Sequence, residues 1–269
     1  MIETFDEIPA NIAFAKDDVI EDSTGFQITW NDGHQSYYTK EWLKDKFEHR
    51  KSRLTERQGL VETVLWTGDD IKSSPPTVEY DAVMASDDGV KDWLLLIRRY
   101  GFCYVENCPA TPEATKALLE RISYIRHTHY GGFYDFTADL SKGDTAYTQL
   151  GIGAHTDNTY FSDPAGLQLF HLLSHTDGSG GVSQLVDGFA AAQILHQEDV
   201  EAYEILANTM VFSHASGNED SSIQPLTAAP TLVHDPMFGN LTQIRWNTTD
   251  RARIDVPIIK MQQWYDAAR

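Results

Sequence analysis

Apolar and polar positions alternate through residues 25–39, GFQITWNDGHQSYYT, on either side of Asn31-Asp32-Gly33. A period of two predicts strands, and Asp-Gly supplies the positive φ of a tight turn, so this segment is predicted as a β-hairpin. The next run, KEWLKDKFEHRKSRLTERQ, is charged and roughly helical in period, with Lys51-Ser52-Arg53 read as a solvated basic face. Ser73-Ser74-Pro75-Pro76 breaks any regular element. It is taken as the boundary between a small β-rich N-terminal domain, residues 1–74, and a larger domain, residues 75–269.

Beyond Val83 the period changes. GVKDWLLLIRRYG is apolar at helical spacing and closed by Gly101, and FCYVENCP after it reads as a short buried strand. Thr111-Pro112-Glu113 has the N-cap and first-turn proline of a helix running through ATKALLERISYIR. From Tyr130 to Val186 the density of Gly, Thr, Tyr and short apolar runs predicts strands and loops. Helices are predicted in GFAAAQILHQ, DVEAYEILANT and PIIKMQQWYDAAR, and strands in MVFSH, TLVHD and LTQIRWN. Residues 213–230, SHASGNEDSSIQPLTAAP, have no period and little to bury, and are predicted as a mobile loop near a pocket mouth.

Composition narrows the partners. With 41% hydrophobic residues the chain can bury a core, and Lys+Arg 21 against Asp+Glu 40 gives a net charge of −19. That charge repels phosphate backbones and anionic lipid, which argues against nucleic acid and membrane and for a small cationic ligand. Cys103 and Cys108 are the only cysteines, too few for a disulfide framework. Together with the lack of a signal peptide or long apolar span, this suggests an intracellular protein, mitochondrial or cytoplasmic.

The chemistry centres on histidine. A His-x-Asp/Glu pair is the nucleus of the two-histidine, one-carboxylate iron site, which leaves coordination positions open for co-substrate and oxygen. Three pairs occur, His155-Thr-Asp157, His175-Thr-Asp177 and His196-Gln-Glu198, where chance gives about one or two, so context must separate them. His196 falls in a predicted helix, where residues two apart do not share a face. His175-Thr-Asp177 runs into Gly178-Ser-Gly-Gly181, a turn that Asp177 would serve. His155, after AYTQLGIGA, is predicted at a strand end, where positions i and i+2 point the same way.

The runs GDTAYTQLGIGAHTDNTYF, GLQLFHLL, GSGGVSQLVDGFAAA and IRWNTTDRA, in this order, resemble the trimethyllysine and γ-butyrobetaine dioxygenase family of Fe(II)/2-oxoglutarate oxygenases. The likeness extends from about Phe26 to the last residue, with the trimethyllysine branch nearer through GDTAYT and HTDNTYF. It implies a mainly β double-stranded β-helix, or jelly roll, with flanking helices. It also implies hydroxylation of a carnitine precursor, with Fe(II) as metal, 2-oxoglutarate and O2 as co-substrates and ascorbate as reductant. By this likeness His155 and Asp157 are iron ligands, and Ser183 hydrogen-bonds a 2-oxoglutarate carboxylate. Tyr130, Tyr134 and Tyr147 form an aromatic cage for a quaternary ammonium, with Tyr134 where the family usually has Trp.

Ring faces attract a trimethylammonium that cannot donate hydrogen bonds. Asp144 favours trimethyllysine, whose α-ammonium it would attract, over butyrobetaine, whose carboxylate it would repel. Asn247 corresponds to an amide near the substrate's polar end. Relatives bind zinc through a histidine at the position of His34 with cysteines ahead of it; without those partners His34 is read as a plain hairpin residue. The family's distal iron histidine and 2-oxoglutarate arginine are expected beyond Arg269. The jelly roll and the facial triad are therefore expected to be incomplete in this chain, and hydroxylase activity absent from it as it stands. The rival readings are an oxygenase for butyrobetaine or another small molecule, and a non-catalytic relative that binds quaternary amines or a partner subunit. A homodimer is left open.

Overall fold

The computed structural model describes residues 8–48, 62–137, 151–175, 181–218, 221–236 and 238–269. Its contacts divide the chain into two units, Met1–Val61 and Glu62–Arg269.

The first unit is an antiparallel sheet of β1 (Val19–Glu21), β2 (Gly25–Thr29) and β3 (Gln35–Thr39), followed by α1 (Lys40–Glu48). The β2–β3 register pairs Phe26 with Tyr38 and Gln27 with Tyr37, and Gly33 sits in the connecting turn at φ 89°. Between β1 and β2, Asp22 Oδ1 accepts from the Thr24 and Gly25 amides, both at 2.7 Å, and from the Tyr37 hydroxyl at 3.0 Å. Those donors favour the charged carboxylate and lower its pKa to about 2.

The second unit begins with α2 (Gly68–Lys72), β4 (Thr77–Glu79), α3 (Tyr80–Ala85), α4 (Asp87–Tyr100), β5 (Tyr104–Glu106) and α5 (Pro112–Glu120). Helix α4 is capped by the Ser86 hydroxyl, which accepts from Gly89 N at 3.2 Å, and is closed by Gly101 in the left-handed region. Gly89 allows α3 and α4 to touch: a Cβ there would lie 2.0 Å from the Ala82 carbonyl oxygen. Thr111 caps α5 by accepting from Ala114 N. The fully buried Val83, Trp93 and Leu118 bind these helices into one apolar cluster, against which Leu169 packs.

A second cluster, Ala192, Leu206, Leu232, Ile254 and Trp264, lies among α6 (Gly188–Glu198), α7 (Val200–Asn208) and α8 (Ile258–Ala267) and the antiparallel pair β8 (Leu232–His234) and β9 (Leu241–Ile244). The hairpin β6 (Ala215–Asn218) and β7 (Ser221–Ile223) lies between α7 and β8 along the chain. No helix among the described residues is long and apolar enough to cross a membrane.

Several expectations need correction. Helix outweighs strand, and the described sheets have two or three strands without a closed barrel, so the described residues are not mainly β. Between Tyr130 and Val186 they show turns, bends and a single bridge, Thr128 to Gly131, instead of strands. Gly131, Gly132, Gly151, Gly153 and Gly166 explain part of this, because glycine has no side chain to pack on a pleated face. Strand β5 pairs in parallel with β4 and is not buried: Tyr104 is 51% exposed. Helix α5 stops at Glu120, ahead of the β-branched Ile122 and Ile125.

The Ser73–Pro76 breaker connects α2 to β4 inside the second unit. The residues before it are tied to that unit by Val64 N to Arg99 O at 2.7 Å and Trp66 Nε1 to Tyr100 O at 2.8 Å. Residues 213–230, expected as a mobile loop, contain the β6–β7 hairpin and are anchored by the Val211–Ala229 bridge.

Candidate functional site

His155 lies in an irregular segment and Asp157 opens the turn that follows, and neither is at the end of a strand. Thr156 fastens that turn to the residue two beyond β9: its amide donates to Trp246 O at 2.6 Å, and Trp246 N donates to its hydroxyl at 2.9 Å. Asn158 then takes a left-handed φ of 57°, a conformation short polar side chains tolerate, and reverses the chain.

The two side chains meet in consequence. His155 Nε2 stands 3.1 Å from Asp157 Oδ1, with the side chains about one third exposed at 32% and 36%. His155 Nδ1 is 2.8 Å from Gly153 O. A carbonyl only accepts, so Nδ1 carries the proton, and in the neutral ring the Nε2 lone pair faces the carboxylate. Two electron-rich atoms at this separation require a proton or a metal cation between them. Imidazole and carboxylate suit Fe(II), and the carbonyl behind the ring fixes the tautomer a metal needs. The other carboxylate oxygen, Oδ2, accepts from Gln168 Nε2 at 2.7 Å. Among the described residues no three His, Cys, Asp or Glu side chains gather into a metal cage.

The competing pairs differ. His196 is on α6 with its ring against Tyr203, centroids 4.7 Å apart. His175 is exposed, and Asp177 lies outside the described residues.

Tyr130 and Tyr134 have ring centroids 6.2 Å apart and planes inclined by 30°, and Phe136 continues the row 6.0 Å from Tyr134. Tyr160, on the turn after Asp157, brings its hydroxyl 3.5 Å from that of Tyr130 and accepts from Asn158 Nδ2 at 3.3 Å. Burial pushes the Tyr160 phenol above its ordinary pKa. Asp144 and Tyr147 lie outside the described residues. Ser183 is exposed in the segment leading to α6.

Asn247 borders a small cleft with Thr159, Arg245 and Arg251. Its amide is engaged in a local turn, donating to Asp250 Oδ2 at 2.9 Å and accepting from the Thr249 and Asp250 amides at 2.9 and 3.0 Å. Arg245 donates to the Thr159 and Phe161 carbonyls and so holds the turn beyond Asp157 against β9. Sequence reasoning passed over Thr156, Tyr160, Gln168 and Arg245. The first two were visible inside HTDNTYF, whereas the reach of Gln168 and Arg245 has no local sequence signal.

Comparison with known proteins adds to this geometry. Residues 67–268 match the profile of the family described as taurine catabolism dioxygenase TauD, TfdA family. The chain is 44% identical to a trimethyllysine dioxygenase of Meyerozyma guilliermondii over 92% of its own length and 64% of that protein's. It is 41% identical to the trimethyllysine dioxygenase of Neurospora crassa, over 97% and 61% of the two lengths. With the mitochondrial trimethyllysine dioxygenase of Mus musculus it shares 38% identity over 92% and 58%. The chain thus spans 58 to 64% of the length of these relatives.

Proposed function

The chain belongs to the taurine catabolism dioxygenase TauD, TfdA family, and from that premise we propose that it forms part of an Fe(II)/2-oxoglutarate-dependent dioxygenase that hydroxylates trimethyllysine. The observation that carries the proposal is the convergence of His155 Nε2 and Asp157 Oδ1 at 3.1 Å, with His155 Nδ1 bonded to Gly153 O. Iron held there would supply the oxygen chemistry, with 2-oxoglutarate as co-substrate and ascorbate as reductant. His155 and Asp157 hold the metal, and Ser183 offers its hydroxyl to a 2-oxoglutarate carboxylate. Tyr130, Tyr134 and Tyr147 present ring faces to the trimethylammonium, each well-placed ring contributing about 0.5–2 kcal/mol. Asp144 pairs with the substrate's α-ammonium, and Asn247 lies toward its polar end. Fixing the substrate in this way holds one carbon within reach of the oxidant.

The relatives named trimethyllysine dioxygenase support this substrate, and the net charge of −19 suits a cationic one. The proposal includes the double-stranded β-helix for the family core and an intracellular site of action, consistent with the mitochondrial name of the mouse relative.

The test is a titration of trimethyllysine into the chain with Co(II) in place of iron, following the N-methyl proton signal. Paramagnetic broadening that disappears in His155→Ala and weakens in Tyr130→Ala is the expected result. Equal broadening in His155→Ala would overturn the proposal.

A further inference from the structure

We infer that Gln168 is a positioning residue for the Asp157 carboxylate, whose plane it fixes so that one oxygen faces His155 while the other is held by the amide. The inference rests on the reading of His155 and Asp157 as metal ligands.

A carboxylate can rotate about its Cβ–Cγ bond, and either oxygen can face a metal. Here the two oxygens have separate partners: Oδ2 accepts from Gln168 Nε2 at 2.7 Å, and Oδ1 stands 3.1 Å from His155 Nε2. An amide donor suits this task. It is neutral, so it orders the carboxylate without cancelling the negative charge that attracts a cation, as a lysine or arginine at the same place would. Hydrogen-bonded partners behind metal ligands orient them and raise affinity.

Gln168 is held in place by its neighbours. Leu169 packs against the Val83–Trp93–Leu118 cluster, and two residues on His171 Nδ1 lies 2.7 Å from Thr115 Oγ1 on α5. Thr115 gives its one hydroxyl proton to Thr111 O at 2.9 Å, so the His171 Nδ1–H is the donor to Thr115. The path from the helical core to the carboxylate therefore runs through two anchors, Leu169 and His171, within three residues of Gln168. Gln168 itself is exposed, so its amide has water as an alternative partner, and its engagement with Asp157 reflects the placement of its backbone.

The experiment titrates Co(II) into the whole chain and follows the visible d–d absorbance of wild type, Gln168→Met and His155→Ala, with urea unfolding of each metal-free protein alongside. Methionine keeps the length of glutamine and lacks its donor. The expected result is a Co(II) affinity about 10- to 100-fold weaker in Gln168→Met, an altered band shape and an unchanged unfolding midpoint. Wild-type affinity in Gln168→Met would overturn the inference alone. A loss of affinity accompanied by a matching loss of unfolding midpoint would assign Gln168 a structural role and also overturn it. A Co(II) band that survives intact in His155→Ala would remove the metal-ligand reading, and the inference with it.

Discussion

Thr156 and Trp246, ninety residues apart, are joined by three hydrogen bonds: Thr156 N to Trp246 O at 2.6 Å, Thr156 Oγ1 to the same oxygen at 3.3 Å, and Trp246 N to Thr156 Oγ1 at 2.9 Å. The residue between the two candidate iron ligands is thereby fastened to the chain just beyond β9, and the side chains that flank it converge to 3.1 Å. Thr156→Val keeps the shape and leaves the partly buried Trp246 amide without its acceptor. The expected cost is about 1–3 kcal/mol in urea unfolding. Co(II) affinity should fall at the same time, because the turn that aims His155 and Asp157 is loosened.

The aromatic row makes a prediction that separates ring from hydroxyl. Tyr134→Ala should weaken trimethyllysine binding by about 0.5–2 kcal/mol, roughly 2- to 30-fold, while Tyr134→Phe keeps most of the affinity. Unmethylated lysine, whose ammonium is satisfied by water, should be nearly indifferent to either change. Calorimetric titration of both ligands checks this; equal losses for the two would show that Tyr134 does not face the methyl groups.

Asp22 gives the first unit a defined acid limit. Its folded pKa, about 2, lies below the ordinary 3.8 because the folded turn donates hydrogen bonds to the charged form. A depressed carboxylate contributes stability that is present above the unfolded pKa and is lost as pH falls through the folded one. Thermal melting should therefore show a decline between about pH 4 and pH 2 that Asp22→Asn flattens.

Gly89→Ala should be costly in spite of alanine's better helix propensity. The added methyl meets the Ala82 carbonyl oxygen at 2.0 Å, and backbone cannot swing aside as a side chain can. The helices must separate instead, with an expected loss of about 1–3 kcal/mol measured by denaturant unfolding.

These sites differ in how plainly the sequence announces them. The β2–β3 hairpin, the α4 closure at Gly101 and the Thr111 cap of α5 were readable because each depends on chemistry within a few residues: a turn, a left-handed glycine, a hydroxyl three positions before the amide it accepts from. The region from Tyr130 to Val186 was not, since short apolar runs have the same pattern whether or not a partner strand lies beside them. AYTQLGIGA ahead of His155 reads as a strand that would leave His155 and Asp157 at its end, whereas their actual placement depends on Asn158 and on Trp246, a long way along the chain. Gln168 reads as a polar interruption in GLQLFHLL, and only the fold brings it to Asp157.

If Asp157 holds a metal as proposed, the path from Thr115 through His171, Leu169 and Gln168 would tie occupancy of the site to the rigidity of α5. Linkage is reciprocal: a cation that prefers the ordered carboxylate must steady α5 by the same free energy with which an ordered α5 tightens the cation. Amide protons of Thr115 and Leu118, on α5, should then exchange more slowly when metal is added. Sequence variation in the helical layer would reach the chemistry as a graded adjustment of metal retention, with every ligand intact.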